Sequence, residues 1–231
     1  MKKWRAIAFD LDDTLYPEAE YVRSGFRQVA AWIEGRLGTP AETTYRELEH
    51  LFHEGVRGNL FDLWLAAHDR ANPSVISEMV QVYREHAPSI RPFPEVPKLL
   101  RGLRNRYQLG LLSDGTLAVQ RRKLAALELS QWFQCVVFCD EWGREAWKPN
   151  VRCFLHLAES FGLSPGEVVY VGDNPSKDFL GARNAGLMTI WIRRPGLLYT
   201  HLEPMTPNHC PDLTLNSLDE LPAVLEQAKL S

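Results

Sequence analysis

Asp10, Asp12 and Asp13 fall within four positions, directly after the apolar run Trp4-Arg5-Ala6-Ile7-Ala8-Phe9. Strand interiors disfavour aspartate, and like charges this close repel. Folding alone gives no reason for the cluster, so chemistry is the place to look. Polar groups follow two later apolar runs as well: Ser113-Asp114-Gly115, and Gly172-Asp173 with Asp178 shortly beyond. Between them lies Lys148, in "AWKPN". This set suits phosphoryl transfer. Mg²⁺ takes oxygen ligands, commonly one or two carboxylates with phosphate and water, and Asp10 with Asp173 can supply the carboxylates. A carboxylate is also a nucleophile that can form an aspartyl-phosphate. A second carboxyl two residues on, Asp12, can protonate the leaving oxygen and later activate water. Lys148 and the Ser113 hydroxyl can hold the phosphoryl oxygens and balance developing charge.

Such groups must be brought together by the elements around them. Residues 4–9 read as a buried strand. From 17 to 89 the apolar spacing is helical, with segments over 18–38, 42–53, 60–70 and 74–86 and no strand between them. "PSIRPFPEVP", with four prolines in ten residues, closes that block as a boundary or hinge. Beyond it helix and strand alternate. The reading gives helices over 95–105, 117–127, 151–161 and 177–185, and strands over 108–112, 135–139, 167–171 and 188–192. Ser217 and Glu220 form a capping-box pattern that opens a last helix. Alternation of this kind predicts an α/β fold, a doubly wound parallel sheet with helices on both faces. The domain reading is a core of 1–16 and 90–231 with a helical insertion over 17–89. In such sheets ligands bind outside the carboxyl ends of the strands, which is where the carboxylates, Ser113 and Lys148 fall.

At this point the sequence resembles the haloacid dehalogenase superfamily, on its phosphatase side, over nearly the whole chain. Four motifs stand in family order: Asp10 to Thr14 as DxDxT, Leu111-Leu112-Ser113-Asp114, Lys148-Pro149, and Gly172-Asp173 with Asp178. The block at 17–89 is similar to the family's helical cap. The resemblance implies Asp10 as nucleophile and Mg²⁺ ligand. It implies Asp12 as general acid/base, with its backbone carbonyl on the metal, and Asp173 as a further ligand. Ser113 and the Asp114 backbone amide would bind phosphate, and Asp178 would orient a metal-bound water or Lys148. Asp13 is read as a turn residue, since the family accepts Gly or Asp there. One departure concerns Lys148, which follows Gly143 by five positions, a longer loop than the family usually has.

The implied function is a Mg²⁺-dependent phosphatase on a small phosphomonoester, a sugar phosphate or a nucleoside monophosphate, with a cap that closes over the ligand and excludes water. A phosphomutase shares all four motifs. A 2-haloacid dehalogenase typically lacks a carboxylate at the position of Asp12 and lacks the Gly-Asp motif. A catalytically silent binding protein has no chemical need for the full set. Arg57, between Gly55 and Gly58, and Asn59, directly after Gly58, lie in a loop that can meet a substrate or simply join two helices. Arg193 and Arg194 can read an anionic tail or face solvent.

Composition narrows the partners. The chain has 231 residues, 45% hydrophobic and 24% charged, with a formal net charge of −3. That is an ordinary globular composition with no electrostatic call for nucleic acid or an anionic membrane. The basic start, Met1 to Arg5, leads into too short an apolar stretch for a signal peptide, so a cytosolic location is the expectation. Cys135, Cys139, Cys153 and Cys210 form no CxxC pair and read as reduced core thiols. Oligomeric state has no sequence signature here.

Overall fold

The structure, a computed structural model, describes residues 4–227. In chain order the elements are β1 (Ala6–Phe9), α1 (Glu18–Leu37), α2 (Ala41–His53), α3 (Leu60–Ala67), α4 (Pro73–Glu85), α5 (Val96–Arg104), β2 (Gln108–Ser113) and α6 (Leu117–Ala126). They continue with β3 (Cys135–Phe138), α7 (Val151–Ser160), β4 (Val168–Gly172), α8 (Asp178–Ala185), β5 (Met188–Ile192), β6 (Leu213–Leu215) and α9 (Leu221–Gln227). The chain forms two compact units, one holding the residues up to Glu18 and from Arg91 onward, the other Ala19–Ile90.

The first unit is a parallel sheet in the order β3-β2-β1-β4-β5-β6. The strands are short apolar runs because both faces are covered. Ala6, Ala8, Leu112, Val137, Val168 and Tyr170 pack with Phe154 and Leu157 of α7 and Ala182 of α8. The alternate residues Ile7, Phe9, Leu109, Leu111, Val169 and Val171 are equally buried. The fold is a doubly wound α/β core with an inserted helical unit. Strand order reverses between β1 and β4, so the crevice at their carboxyl ends is the topological switch point.

Most elements fall within two residues of the sequence reading, and the differences have local causes. β1 is shorter than 4–9, although the Arg5 amide still donates to the Glu167 carbonyl at 2.8 Å. β4 lies one residue later than expected, which brings Gly172 into the strand. The sixth strand is absent from the sequence reading. Leu213–Leu215 is three residues long with two of them exposed, so it carries no apolar period. Cys139 opens a 3₁₀ turn instead of ending β3, and Cys210 is exposed, so it is not a core thiol.

In the second unit, α1, α2 and α3 each bury several residues, and α4 buries Met79. Phe26, Phe52, Phe61 and Tyr83 meet edge-on or tilted, with centroids 5.8–6.3 Å apart. Trp64 is fully enclosed, and its indole N–H donates to Glu47 Oε2 at 2.7 Å. α4 begins where Asn72 accepts from the Ser74 and Val75 amides with Pro73 in the first turn, a strong start signal. Among the described residues no helix is long and apolar enough to cross a membrane.

Candidate active site

Parallel register places the site. Phe9 pairs with Leu111 on β2 and with Val171 on β4, so Asp10 leaves the sheet between the ends of both neighbours. The Asp10 amide donates to the Val171 carbonyl at 2.8 Å, holding the residue to β4. Asp173 leaves β4 next to it, and its carbonyl accepts from the Trp191 indole at 2.7 Å.

Lys148 is the hub. Its ammonium lies 2.6 Å from Asp10 Oδ1, 2.7 Å from Asp178 Oδ1 and 3.0 Å from the Tyr170 hydroxyl. The longer lysine loop therefore delivers its residue. Two 3₁₀ turns, Cys139–Trp142 and Arg144–Ala146, take up the added length around Gly143. Asp140 ties that loop down through the Trp147 indole at 2.9 Å and the Leu117 amide at 2.8 Å. The Asp114 carboxylate accepts from the Lys148 amide at 3.1 Å, so this side chain braces the lysine backbone. α8 approaches closely as well. A Cβ at Gly181 would fall 2.2 Å from the Pro149 carbonyl oxygen, so only glycine fits.

Asp178 opens α8 and is fully buried. It accepts from Lys148, from the Tyr170 hydroxyl at 3.2 Å and from the Asn174 amide at 2.8 Å. Burial works to raise its pKa, but Lys148 and Lys177 outweigh it and hold the carboxyl below the usual range. Burial pushes Asp10 up to about 6 against the pull of Lys148. Burial raises Asp173 well above its ordinary value, and the charges of Asp178 and Asp10 add to the effect. Lys148 is buried too, yet Asp10 and Asp178 keep it protonated.

One carboxylate oxygen each from Asp10, Asp173 and Asp178 lie within 4.8 Å of one another. Asp10 Oδ2 is buried with no hydrogen-bond partner among the described residues, as is Ser113 Oγ at the end of β2. Buried polar atoms left without partners are rare unless a ligand or ion satisfies them. Hard oxygen donors, an orphaned carboxylate oxygen and mutual repulsion fit a cation such as Mg²⁺.

The Asp12 carboxylate is turned to different partners. Lys123 donates to its Oδ1 at 2.7 Å, Gln120 to its Oδ2 at 3.2 Å, and the Tyr16 hydroxyl also to Oδ1. Burial works to raise its pKa, but Lys123 and Tyr16 outweigh that and hold it low. Asp13 has a positive φ of 52° and accepts from the Glu18 and Leu198 amides at 2.7 and 3.2 Å, which is turn chemistry. A cavity of about 300 Å³ opens among these groups, lined by Asp12, Glu18, Gln120, Lys148, Asp173 and Lys177.

Other candidates have structural partners. Arg57 donates to the Phe52 and Val56 carbonyls and stacks 3.9 Å over the Phe52 ring. Arg193 pairs with Glu203, and Arg194 pairs with Glu95 while lying 4.0 Å over Phe93. The sequence reading had no role for Tyr16, Gln120, Lys123, Tyr170 or Lys177. Lys177 had a signal, since it sits inside the Gly172–Asp178 motif. Tyr170 reads only as part of an apolar strand, and Lys123 as one of three basic residues on a helix.

The chain matches the family model of haloacid dehalogenase-like hydrolases over residues 4–186. It is 34% identical to a glyceraldehyde 3-phosphate phosphatase of Methanopyrus kandleri, covering 96% of this chain and 97% of the relative. It is 31% identical to a phosphoserine phosphatase of Thermus thermophilus, covering 95% and 82%. Its fold superposes on the crystal structure of a HAD phosphatase from Thermococcus onnurineus with a TM-score of 0.62 at 26% identity, covering 96% of this chain and 97% of that one. Sheet order, switch-point carboxylates and these matches agree. The chain belongs to the haloacid dehalogenase-like hydrolases.

Proposed function

We propose that this protein is a Mg²⁺-dependent phosphatase of small phosphomonoesters, working through an aspartyl-phosphate on Asp10. The observation that carries the reading is the buried Lys148, bridging Asp10 and Asp178 beside Asp173 while Asp10 Oδ2 stays unpartnered. The relatives named above are phosphatases of small organic phosphates, which supports a triose or other sugar phosphate as the first substrate class to try.

A cation held by Asp10 and Asp173, with the Asp12 backbone carbonyl as a further donor, supplies charge neutralisation between the carboxylates and the phosphoryl oxygens. The remaining chemistry falls to the chain's own groups. Asp10 attacks phosphorus and the ester P–O bond breaks. The negative charge of the bound phosphoryl group beside Asp12 raises the pKa of its carboxyl, so that Asp12 enters the step protonated and gives that proton to the departing oxygen. Asp12 then takes a proton from water, the water oxygen attacks phosphorus, and the bond to Asp10 breaks to free inorganic phosphate. Lys148 holds phosphoryl oxygens and orients Asp10, with Asp178 and Tyr170 fixing its ammonium. Ser113 Oγ and the Asp114 amide bind the remaining oxygens.

Phosphate release from a panel of glyceraldehyde 3-phosphate, glycerol 3-phosphate, phosphoserine and nucleoside monophosphates tests the reading. It is run with Mg²⁺, with EDTA, and with Asp10→Asn. Turnover that requires the metal and disappears in the variant is the expected result. Conversion of a phosphate ester to its isomer without phosphate release would mean a mutase, and metal-independent release would overturn the mechanism.

A further inference from the structure

Asp12 is held by two side chains of α6. Gln120 and Lys123 are three residues apart and so lie on one helix face, and they take opposite oxygens of the carboxylate, Oδ2 and Oδ1. The Lys123 side chain is 4% exposed. A buried ion pair adds little net stability, because desolvation offsets the attraction. An apolar residue, such as the adjacent buried Leu124, would serve the packing as well. The lysine is therefore better explained by what it does to Asp12. Gly115 lies against the Gln120 amide, and its positive φ favours glycine by itself. Its φ is +106°, and a Cβ there would lie 2.7 Å from Gln120 Nε2. The missing side chain leaves the room that the amide occupies on its way to Asp12.

The grip is uneven. Oδ1 accepts from both Lys123 and Tyr16, whereas Oδ2 accepts from Gln120. We propose that Lys123 and Gln120 are positioning residues: Lys123, with Tyr16, fixes the Asp12 carboxylate by Oδ1, and Gln120 aims Oδ2, the oxygen that passes the proton to the leaving group and later takes it from water. The inference rests on the phosphatase reading. Without these contacts the carboxylate rotates, and fewer encounters place Oδ2 on the departing oxygen.

Leaving-group dependence separates this from a scaffold role. An alkyl ester needs its leaving oxygen protonated, but 4-nitrophenolate departs without a proton. The value of kcat/KM reports transfer to Asp10, the first irreversible step. Wild type, Lys123→Met and Lys123→Arg are compared with Mg²⁺ on 4-nitrophenyl phosphate and on the fastest alkyl phosphate of the panel above. Lys123→Met is expected to lower kcat/KM on the alkyl ester by about 100-fold and on the aryl ester by less than about 10-fold, within the range of general acid catalysis. With the aryl ester it should also show a burst of nitrophenolate, since hydrolysis of the aspartyl-phosphate still needs Asp12. Lys123→Arg, which keeps the charge, should recover most of the alkyl-ester loss. If Lys123→Met does not fold, Gln120→Met carries the same comparison. An equal loss on both esters, or no loss, overturns the inference alone. A wild type inert toward both esters overturns the phosphatase reading and this inference with it.

Discussion

Lys148 and Asp178, thirty positions apart in the chain, are ion-paired at 2.7 Å with neither side chain exposed to solvent. The same ammonium pairs with Asp10 at 2.6 Å. Breaking a buried pair by removing one partner typically costs about 3–5 kcal/mol, because a charge is stranded. Here Asp10 and Tyr170 still hold Lys148, so Asp178→Ala should cost about 3 kcal/mol, at the low end of that range. Phosphate release should fall with it, as the ammonium loses its fixed direction. Asp178→Asn keeps an acceptor for the Asn174 amide and should cost less. Urea unfolding midpoints and turnover measured on the same preparations check both; full activity in Asp178→Ala would rule out the positioning role.

Metal binding distinguishes the carboxylates from one another. The group formed by Asp10, Asp173 and Asp178 does not include the Asp12 side chain, which faces Lys123. Mg²⁺ at a hundred times its Kd should stabilise the wild type by about 2.7 kcal/mol, read as a rise in Tm that EDTA removes. Asp173→Ala should abolish that rise. Asp12→Asn should keep it while losing turnover. A variant pattern with these two results exchanged would move the metal to the other side of Asp10.

Two glycines in helices should respond with opposite signs. A Cβ at Gly181 meets the Pro149 carbonyl oxygen at 2.2 Å and Phe154 at 2.7 Å, and backbone does not yield cheaply. Gly181→Ala should destabilise by about 1–3 kcal/mol through overpacking, and should lower activity further by displacing the loop that carries Lys148. At Gly102 in α5 nothing lies within 4 Å. Gly102→Ala should stabilise by about 0.5–1 kcal/mol, since alanine loses less freedom in a helix. Thermal melts of the two variants beside wild type decide the matter.

The cysteines and arginines show where sequence reading is weak. Cys210 belongs to no periodic segment, and its exposure follows from a loop whose path no local pattern reports. Arg193 and Arg194 were open to an anionic ligand or to solvent. Their partners are Glu203 and Glu95, the latter 99 positions away, and such pairings depend on how distant loops meet.

What the sequence by itself determined was local and additive. Apolar period distinguishes strand from helix, proline and glycine mark the stops, and a carboxylate directly after a buried strand marks a rim. Those signals yielded the α/β alternation, the helical segments and the positions of Asp10, Asp12, Ser113, Lys148, Asp173 and Asp178. Tertiary structure decided which side chains touch. Lys123 meets Asp12 across 111 positions, and Tyr170 reaches Lys148 from the middle of a strand that reads as plain core. The reason is physical: secondary structure follows from periods of two and 3.6 residues along the chain, whereas a contact between α6 and the loop after β1 depends on sheet order and register. Those are set only when the whole core packs.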